Sequence, residues 1–340
     1  MNQYLTDCHF ISSRCDLAAF SGKRVLVTGV TGLIGSQIFL ALRYITEELG
    51  VDVNIHVIAR MPGVWPLNLS TKICIHYVDL CKDFDLDFDF DIVIHAASIA
   101  SPSLYKISPA ETMLPNIFGT SNLLKHTKKC GTFVFVSSGE VYGNLGSSVE
   151  IDEGSFAPID PRNLRNIYAE SKRAGEALTF AIAATRSIKS IIVRPFHTYG
   201  ANVRKSDERV FADFIWRAAR GQKLFIRGDG SVRRSFCHVA DVVVGIFRAI
   251  SMTNADSVFN LGNPYENLSI QQLAEVISNL PQVKVNIEFG RHSDTYLSSD
   301  IMEYNISINK ARQELNWQPE IGIIDGITRA IHLHRIIYDL

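Results

Sequence analysis

The sequence lacks the features of a membrane, metal-binding or secreted protein. Its six cysteines, Cys8, Cys15, Cys74, Cys81, Cys130 and Cys237, contain no CxxC pair and no disulfide framework, as in a reducing compartment. The ten histidines are scattered and no HExxH occurs, so no metal site is expected. No apolar run reaches the roughly 18–20 residues that a membrane span needs, and no signal-peptide pattern opens the chain. A formal net charge of −1 argues against a broad grip on nucleic acid. Internal repeats and long linkers are missing as well. A cytoplasmic protein with no membrane and no nucleic-acid partner is the expectation. Its 340 residues suffice for one large or two unequal domains.

What the chain does have is alternation. "KRVLVTGVTGLIGSQIFLALRYI" reads as a β-branched strand, a glycine turn and an amphipathic helix. "VNIHVIAR", "KICIHYVDL", "FDIVIHAAS", "GTFVFVSS" and "KSIIVRPFHTYG" read as further strands, with helices such as 110–129 and 166–186 between most of them. Such alternation predicts a doubly wound parallel sheet of the α/β Rossmann class. Beyond residue 195 the pattern loosens into a loop, a helix at "FADFIWRAARG", a return at "FCHVADVVVGIFRAI", a short strand "SVFNLGN" and the helices "SIQQLAEVI" and "SINKARQEL". Trp216 and its aromatic neighbours are expected in the core of that region. The first twenty or so residues are polar and weakly patterned. In "KDFDLDFDFD", residues 82–91, Asp alternates with apolar residues; a solvated edge with its phenylalanines under the sheet is expected, because a calcium loop would need a different spacing and a glycine.

In "TGVTGLIG", Gly29, Gly32 and Gly35 stand between the first strand and first helix, with Leu33 and Ile34 at the helix start. Side chains at the glycines would obstruct the turn or keep a pyrophosphate from the helix N-terminus, where free N–H groups favour anions. A strand before and a helix after supply the context that a glycine pattern alone lacks. The second strand ends in Ala59 and Arg60, where an NAD enzyme usually carries Asp or Glu for the ribose hydroxyls. A guanidinium there suits a 2′-phosphate, so NADP(H) is favoured over NAD(H); an arginine stacked on the adenine is the alternative. Asp79 and Leu80 are placed to meet the adenine.

"NIYAESKR" puts Tyr168 and Lys172 one helical turn apart on one face. A phenol is a poor base at neutral pH. An ammonium about 4 Å away is worth roughly 1 kcal/mol in water but about 4 at an effective dielectric of 20. The larger figure is about three pKa units, so a partly dry pocket is expected to bring the phenol near neutrality.

TGxxGxxG, "HAAS" at 95–98, Ser138 and YxxxK together resemble the extended short-chain dehydrogenase/reductase family, in its nucleotide-sugar epimerase/dehydratase branch. The likeness runs from about Gly22 onward, and the second half is similar to UDP-glucuronate decarboxylases and dTDP-glucose 4,6-dehydratases. It implies that Ser138 and Tyr168 handle a sugar hydroxyl proton, that Lys172 orients the nicotinamide ribose, and that Ala96 borders the cofactor. It also implies that Arg234 clamps the nucleotide diphosphate, that His197 stands near the sugar or its phosphates in place of an asparagine, and that Val210 and Phe211 line the substrate site. Arg233 is then expected to be solvated or salt-bridged, His95 and His238 structural, and Asn116 a backbone brace. A dinucleotide domain of 22–193 plus 237–262 and a substrate domain of 194–236 plus 263–340 are implied, as is a homodimer through the helices at 112–129 and 166–186.

The resemblance also gives meaning to "SSGEVYG", residues 137–143. 4,6-Dehydratases resemble T-D-E-V-Y-G there, with the Asp as general acid and the Glu as base. Gly139 removes that acid, and losing one typically costs about 10²–10⁴-fold. Decarboxylases carry Ser and keep the Glu, so Glu140 and Arg165 fit them. Reduction of a 4-keto sugar needs neither acid nor base beyond tyrosine, and an NADPH-selecting Arg60 suits a reaction that consumes cofactor. NADPH-dependent reduction of a 4-keto-6-deoxyhexose is the leading expectation. A decarboxylase, epimerase or dehydratase that recycles its cofactor is the alternative, followed by a non-catalytic nucleotide-binding module.

Overall fold

The computed structural model describes residues 3–60, 73–146, 148–253, 257–290 and 304–340. Seven strands build its central sheet: β1 (Lys23–Thr28), β2 (Val53–Ala59), β3 (Ile73–Tyr77), β4 (Phe90–His95), β5 (Thr127–Val136), β6 (Lys189–Pro195) and β7 (Ser257–Leu261). They lie in the order β7-β6-β5-β4-β1-β2-β3, and each neighbouring pair is parallel. The inner strands are covered on both faces, which is why they read as near-continuous apolar runs. Val25, Leu26 and Val27 of β1 are fully buried. The order reverses between β3 and β4, so a crevice opens at the C-terminal ends of β1 and β4. This is the Rossmann arrangement expected from the alternation.

Helices α1 (Gln3–Ser12) and α2 (Leu33–Glu47) pack on one face of the sheet. Chain segments α3 (Pro102–Ile107) and α4 (Pro109–Leu114) lead into α5 (Thr120–Lys125) and α6 (Ile167–Arg186), which cover the other face. A second core gathers Phe214 of α7 (Val210–Ala219) with residues of later helices. Returning to the first face, α8 (Val239–Ser251) packs beside α2. In the second core, Leu273 of α9 (Ile270–Ser278) meets Ile327 of a later helix. Ala311 and Leu315 of α10 (Asn309–Leu315) join the first core, and α11 (Ile323–Ile337) closes the second. From these separate cores we propose lobes of 22–193 plus 237–262 and of 194–236 plus 263–340, with α10 crossing back between them.

Four expectations need revision or refinement. The N-terminal segment is helical, with Cys8 and Ile11 fully buried, and Asp7 bonds Arg329 of α11 at 3.1 Å. Its pattern is weak because a cysteine and an aspartate occupy buried positions. The helix expected over 110–129 stops at Lys125, with a π-helical turn at Pro115–Gly119. Proline cannot donate the bond that a regular turn requires there. Residues from Thr127 pair with β4 instead, despite helix-favouring lysines at 128 and 129. Trp216 is only half-buried, capped by the Arg220 guanidinium at 3.4 Å, while Phe214 takes the core position. In the Asp-rich segment, Phe84 and Phe88 pack against the core beneath the sheet, and Phe90 already belongs to β4.

Candidate active site

The crevice continues into a cleft of about 1650 Å³ between the sheet and the second core. That exceeds the roughly 300–1,000 Å³ of a single small-ligand pocket. At one end the chain leaves β1 through Gly29, whose φ of +73° lies in the left-handed region. A β-carbon on Gly29 would stand 2.5 Å from the Ala96 carbonyl, and one on Gly35 would strike the Gly29 carbonyl oxygen. The turn therefore lies flush against the end of β4. Gly32 begins α2 without a side-chain cap, leaving the N–H groups of the first turn, around Leu33 and Ile34, open to the cleft. This is a cradle into which a dinucleotide pyrophosphate fits. Arg60, Asp79, Leu80 and Lys82 line the same end, beyond β2 and β3. Asp79 accepts a bond from the Cys81 N–H at 3.0 Å, which fixes the loop after β3.

Across the cleft, β5 runs out at Ser138, whose hydroxyl accepts the Glu140 N–H at 3.2 Å and bonds the Tyr168 phenol. Tyr168 and Lys172 project from α6, and both are buried. Lys172 donates to the Val136 carbonyl at 2.7 Å. Burial lowers the pKa of this amine to about 7, opposed by the Glu176 carboxylate. The phenol behaves contrary to expectation. Its pKa is raised, by burial first and by the Glu140 carboxylate second, while Ser138, Arg209 and Arg165 oppose the rise. Lys172 turns toward the backbone of β5 and does not drive the phenol toward ionisation. Tyr168 is therefore held in its protonated, neutral form.

Glu140 is held by Arg165 in a two-pronged pair, Nη1 to Oε2 at 2.7 Å and Nη2 to Oε1 at 3.2 Å. Gly139 beside it faces the Phe196 ring, and an added β-carbon would lie 2.5 Å from Cδ1. The next residue, His197, has φ +37°, a strained value for a side chain other than glycine. Its ring sits between Phe236 and Tyr304 with Nδ1 unpartnered, and burial followed by Arg234 holds its pKa well below the usual histidine range. His197, Arg234, Val210 and Phe211 all line this end of the cleft.

Residues 25–262 match the sequence pattern described as the NAD dependent epimerase/dehydratase family. The chain belongs to that family. UDP-glucuronic acid decarboxylase 1 of Xenopus tropicalis is 31% identical over 318 residues, covering 92% of this chain and 72% of that protein. An epimerase of Methanothermobacter thermautotrophicus superposes with a TM-score of 0.81 at 22% identity, covering 97% of this chain and 96% of that one. RMD from Pseudomonas aeruginosa, solved with NADPH, superposes at 0.69 with 25% identity over 94% and 100% of the two chains.

Within this epimerase/dehydratase framework the fold brings every sequence-selected site residue to one cleft. It also adds residues that no motif announced. Tyr105 stacks on Tyr168 with ring centres 5.1 Å apart and planes 5° from parallel. Arg209 reaches the same cleft while paired to Asp207 at 2.6 Å. Arg204 and Asn202 donate to carbonyls of the glycine turn, Thr31 at 3.2 Å and Gly32 at 3.4 Å. Their only sequence signal was a polar loop after "TYG". Arg233 bonds Gln272 and the Asn267 carbonyl instead of lining the cleft. Asn116 donates to Ser171 at 2.9 Å and the Thr112 carbonyl at 3.2 Å, bracing α4 against α6. His95 joins Thr28 and the Pro115 carbonyl, while His238 caps α8. Among the described residues, no helix is long and apolar enough to cross a membrane.

Proposed function

We propose that this chain is an NADP(H)-dependent oxidoreductase that reduces the 4-keto group of a nucleotide-activated 4-keto-6-deoxyhexose. The observation that carries this reading is the Phe196 ring, which occupies the space that a side chain at Gly139 would need. Where related dehydratases place an acid and decarboxylases a serine, an aromatic ring fills the space. A ketone reduction needs neither group. It needs a hydride and a proton, which together add two hydrogens across the carbonyl.

When bound, the dinucleotide supplies the hydride. Gly29, Gly32 and Gly35, with Leu33 and Ile34, would hold its pyrophosphate, and Asp79, Leu80 and Ala96 would border its remaining parts. Arg60, with Lys82 at the same end, would select a 2′-phosphate, a choice in keeping with NADPH in the RMD structure. Tyr168, a buried phenol with a raised pKa, donates the proton to the carbonyl oxygen, and Ser138 orients both. Lys172 positions the ribose, and Glu140, locked by Arg165, keeps the phenol protonated. His197 offers a neutral nitrogen to the sugar, while Arg234, Val210 and Phe211 hold its nucleotide side.

Mixing the protein with NADPH and dTDP- or GDP-4-keto-6-deoxyhexoses tests the reading. Stoichiometric NADPH oxidation, lost in Tyr168→Phe, is expected. No oxidation with any such sugar overturns it.

Glu140, Arg165 and the similarity to UDP-glucuronic acid decarboxylases favour a second reading, decarboxylation or epimerisation with an internally recycled cofactor. Product mass separates the two, by loss of carbon dioxide or by no change. For the assembly we propose a cytoplasmic homodimer joined through α4, α5 and α6, where Phe118 is 52% exposed.

A further inference from the structure

We propose that His56, Cys74 and His76 form a zinc site at the outer edge of the sheet, beside the Asp-rich segment. In sequence these residues follow no metal-binding spacing. Strand register assembles them: His56 of β2 pairs directly with Cys74 of β3, and Ile58 pairs with His76. All three side chains therefore leave the same face. Their ligand atoms lie within 4.8 Å of one another. The two imidazoles meet edge to edge, with centres 5.2 Å apart and planes 9° from parallel, and His56 Nδ1 faces His76 Nε2 at 2.9 Å.

Two ring nitrogens that face each other so closely cannot both carry protons, so at least one lone pair already points into the shared space. A zinc ion takes nitrogen ligands at roughly 2.0–2.1 Å, and the two rings hold one by turning from their head-on contact so that both nitrogens converge on it. His56 is 3% exposed and its Nε2 has no partner, so the imidazole pair leaves this buried ring poorly bonded. Ligation through Nδ1 replaces the contact with His76 Nε2 by a shared metal bond.

The donor set is selective. Two imidazoles and a thiolate suit zinc, and a set without several oxygens does not suit magnesium or calcium. Cys74 is exposed, so an ion can enter from solvent, and the thiol releases one proton to solvent as its sulfur–metal bond forms. Phe88 and Phe90 wall the inner side, with ring centres 5.0 and 5.1 Å from His56. Arg24, the nearby cation, is engaged by the Phe88 ring and by the Asp89 carbonyl at 3.1 Å. Asp87 interacts electrostatically with His76 and adds negative charge to its surroundings. The aspartates of this segment, none of which lines the cleft, thereby acquire a role. The ion would clip edge strand β3 to β2, the two strands whose ends carry Arg60 and Asp79 into the cleft.

Chelator-treated protein titrated with Co²⁺ tests this. One ion per chain is expected, with visible bands of tetrahedral cobalt and a near-ultraviolet thiolate-to-metal band, both displaced by Zn²⁺. Cys74→Ser, an exposed change whose folding circular dichroism can verify, should abolish the near-ultraviolet band. His76→Gln should weaken Zn²⁺ at least about tenfold against a chromophoric chelator. Zn²⁺ should raise the melting temperature of the parent protein and not of these variants. Absence of the cobalt bands, their survival in Cys74→Ser, or unchanged affinity in His76→Gln overturns the proposal.

Discussion

Gly139 and Phe196 compete for one volume: a β-carbon on the glycine would lie 2.5 Å from ring atom Cδ1 and 2.9 Å from Cζ. The ring is buried, stacked against Tyr142 at 5.9 Å and met edge-on by Tyr304 at 5.6 Å, so it has little freedom to withdraw. A bare position 139 is thus a packing requirement.

Gly139→Ser should therefore overpack the site, at a cost of about 1–3 kcal/mol. Phe196→Ala alone should cost about 3–5 kcal/mol through the cavity it leaves. In the double variant the serine enters that cavity, and the total loss should fall short of the sum of the two. Urea unfolding of the four proteins measures the difference; strict additivity would separate the two residues.

Glu140→Gln should move the alkaline limb of the reduction profile to lower pH. Burial first and the Glu140 carboxylate second raise the Tyr168 pKa, and the proposed reduction requires the protonated phenol, so its activity is expected to fall as pH rises through that pKa. Removing the carboxylate also leaves Arg165 unpaired beside the cleft, which acts in the same direction. The measurement is kcat/KM against pH; an unmoved limb would remove Glu140 from this role.

Lys172→Met should flatten part of the rise in stability between pH 7 and pH 10.5. The buried amine has a pKa of about 7 against 10.5 for the free group. Across that interval the unfolded chain binds more protons than the folded one, so this group destabilises the fold below pH 7 and ceases to do so above 10.5. The slope from one such group is at most about 1.4 kcal/mol per pH unit. Urea midpoints at pH 7 and pH 9, parent against variant, report it.

Arg60→Ala should weaken NADPH roughly 10- to 100-fold, the loss of a charge-assisted bond of about 1.5–3 kcal/mol, and leave NADH unchanged. Fluorescence titration with each nucleotide checks this. An equal loss for both nucleotides would instead indicate stacking on the adenine.

Much of this was legible beforehand because it is local. The glycine turn, the strand-helix alternation and the spacing of Tyr168 and Lys172 are each contained within a few residues, where backbone sterics and helical periodicity act directly. The buried helix at Gln3–Ser12 escaped notice because its contacts, Asp7 with Arg329 among them, lie at the other end of the chain. Tyr105 escaped because nothing near it in sequence shows that it stacks on Tyr168.

By itself, then, the sequence determined the sheet-forming segments, the pyrophosphate cradle and the chemical groups available for proton transfer, all consequences of short-range geometry. Tertiary structure alone decided which groups share an environment. It buried Tyr168 beside Glu140, set Phe196 against Gly139, and drew His56, Cys74 and His76 together across two strands. The reason is physical: proton affinity, packing and metal ligation depend on distances of a few ångströms between side chains, and only the folded chain sets those for residues far apart in sequence.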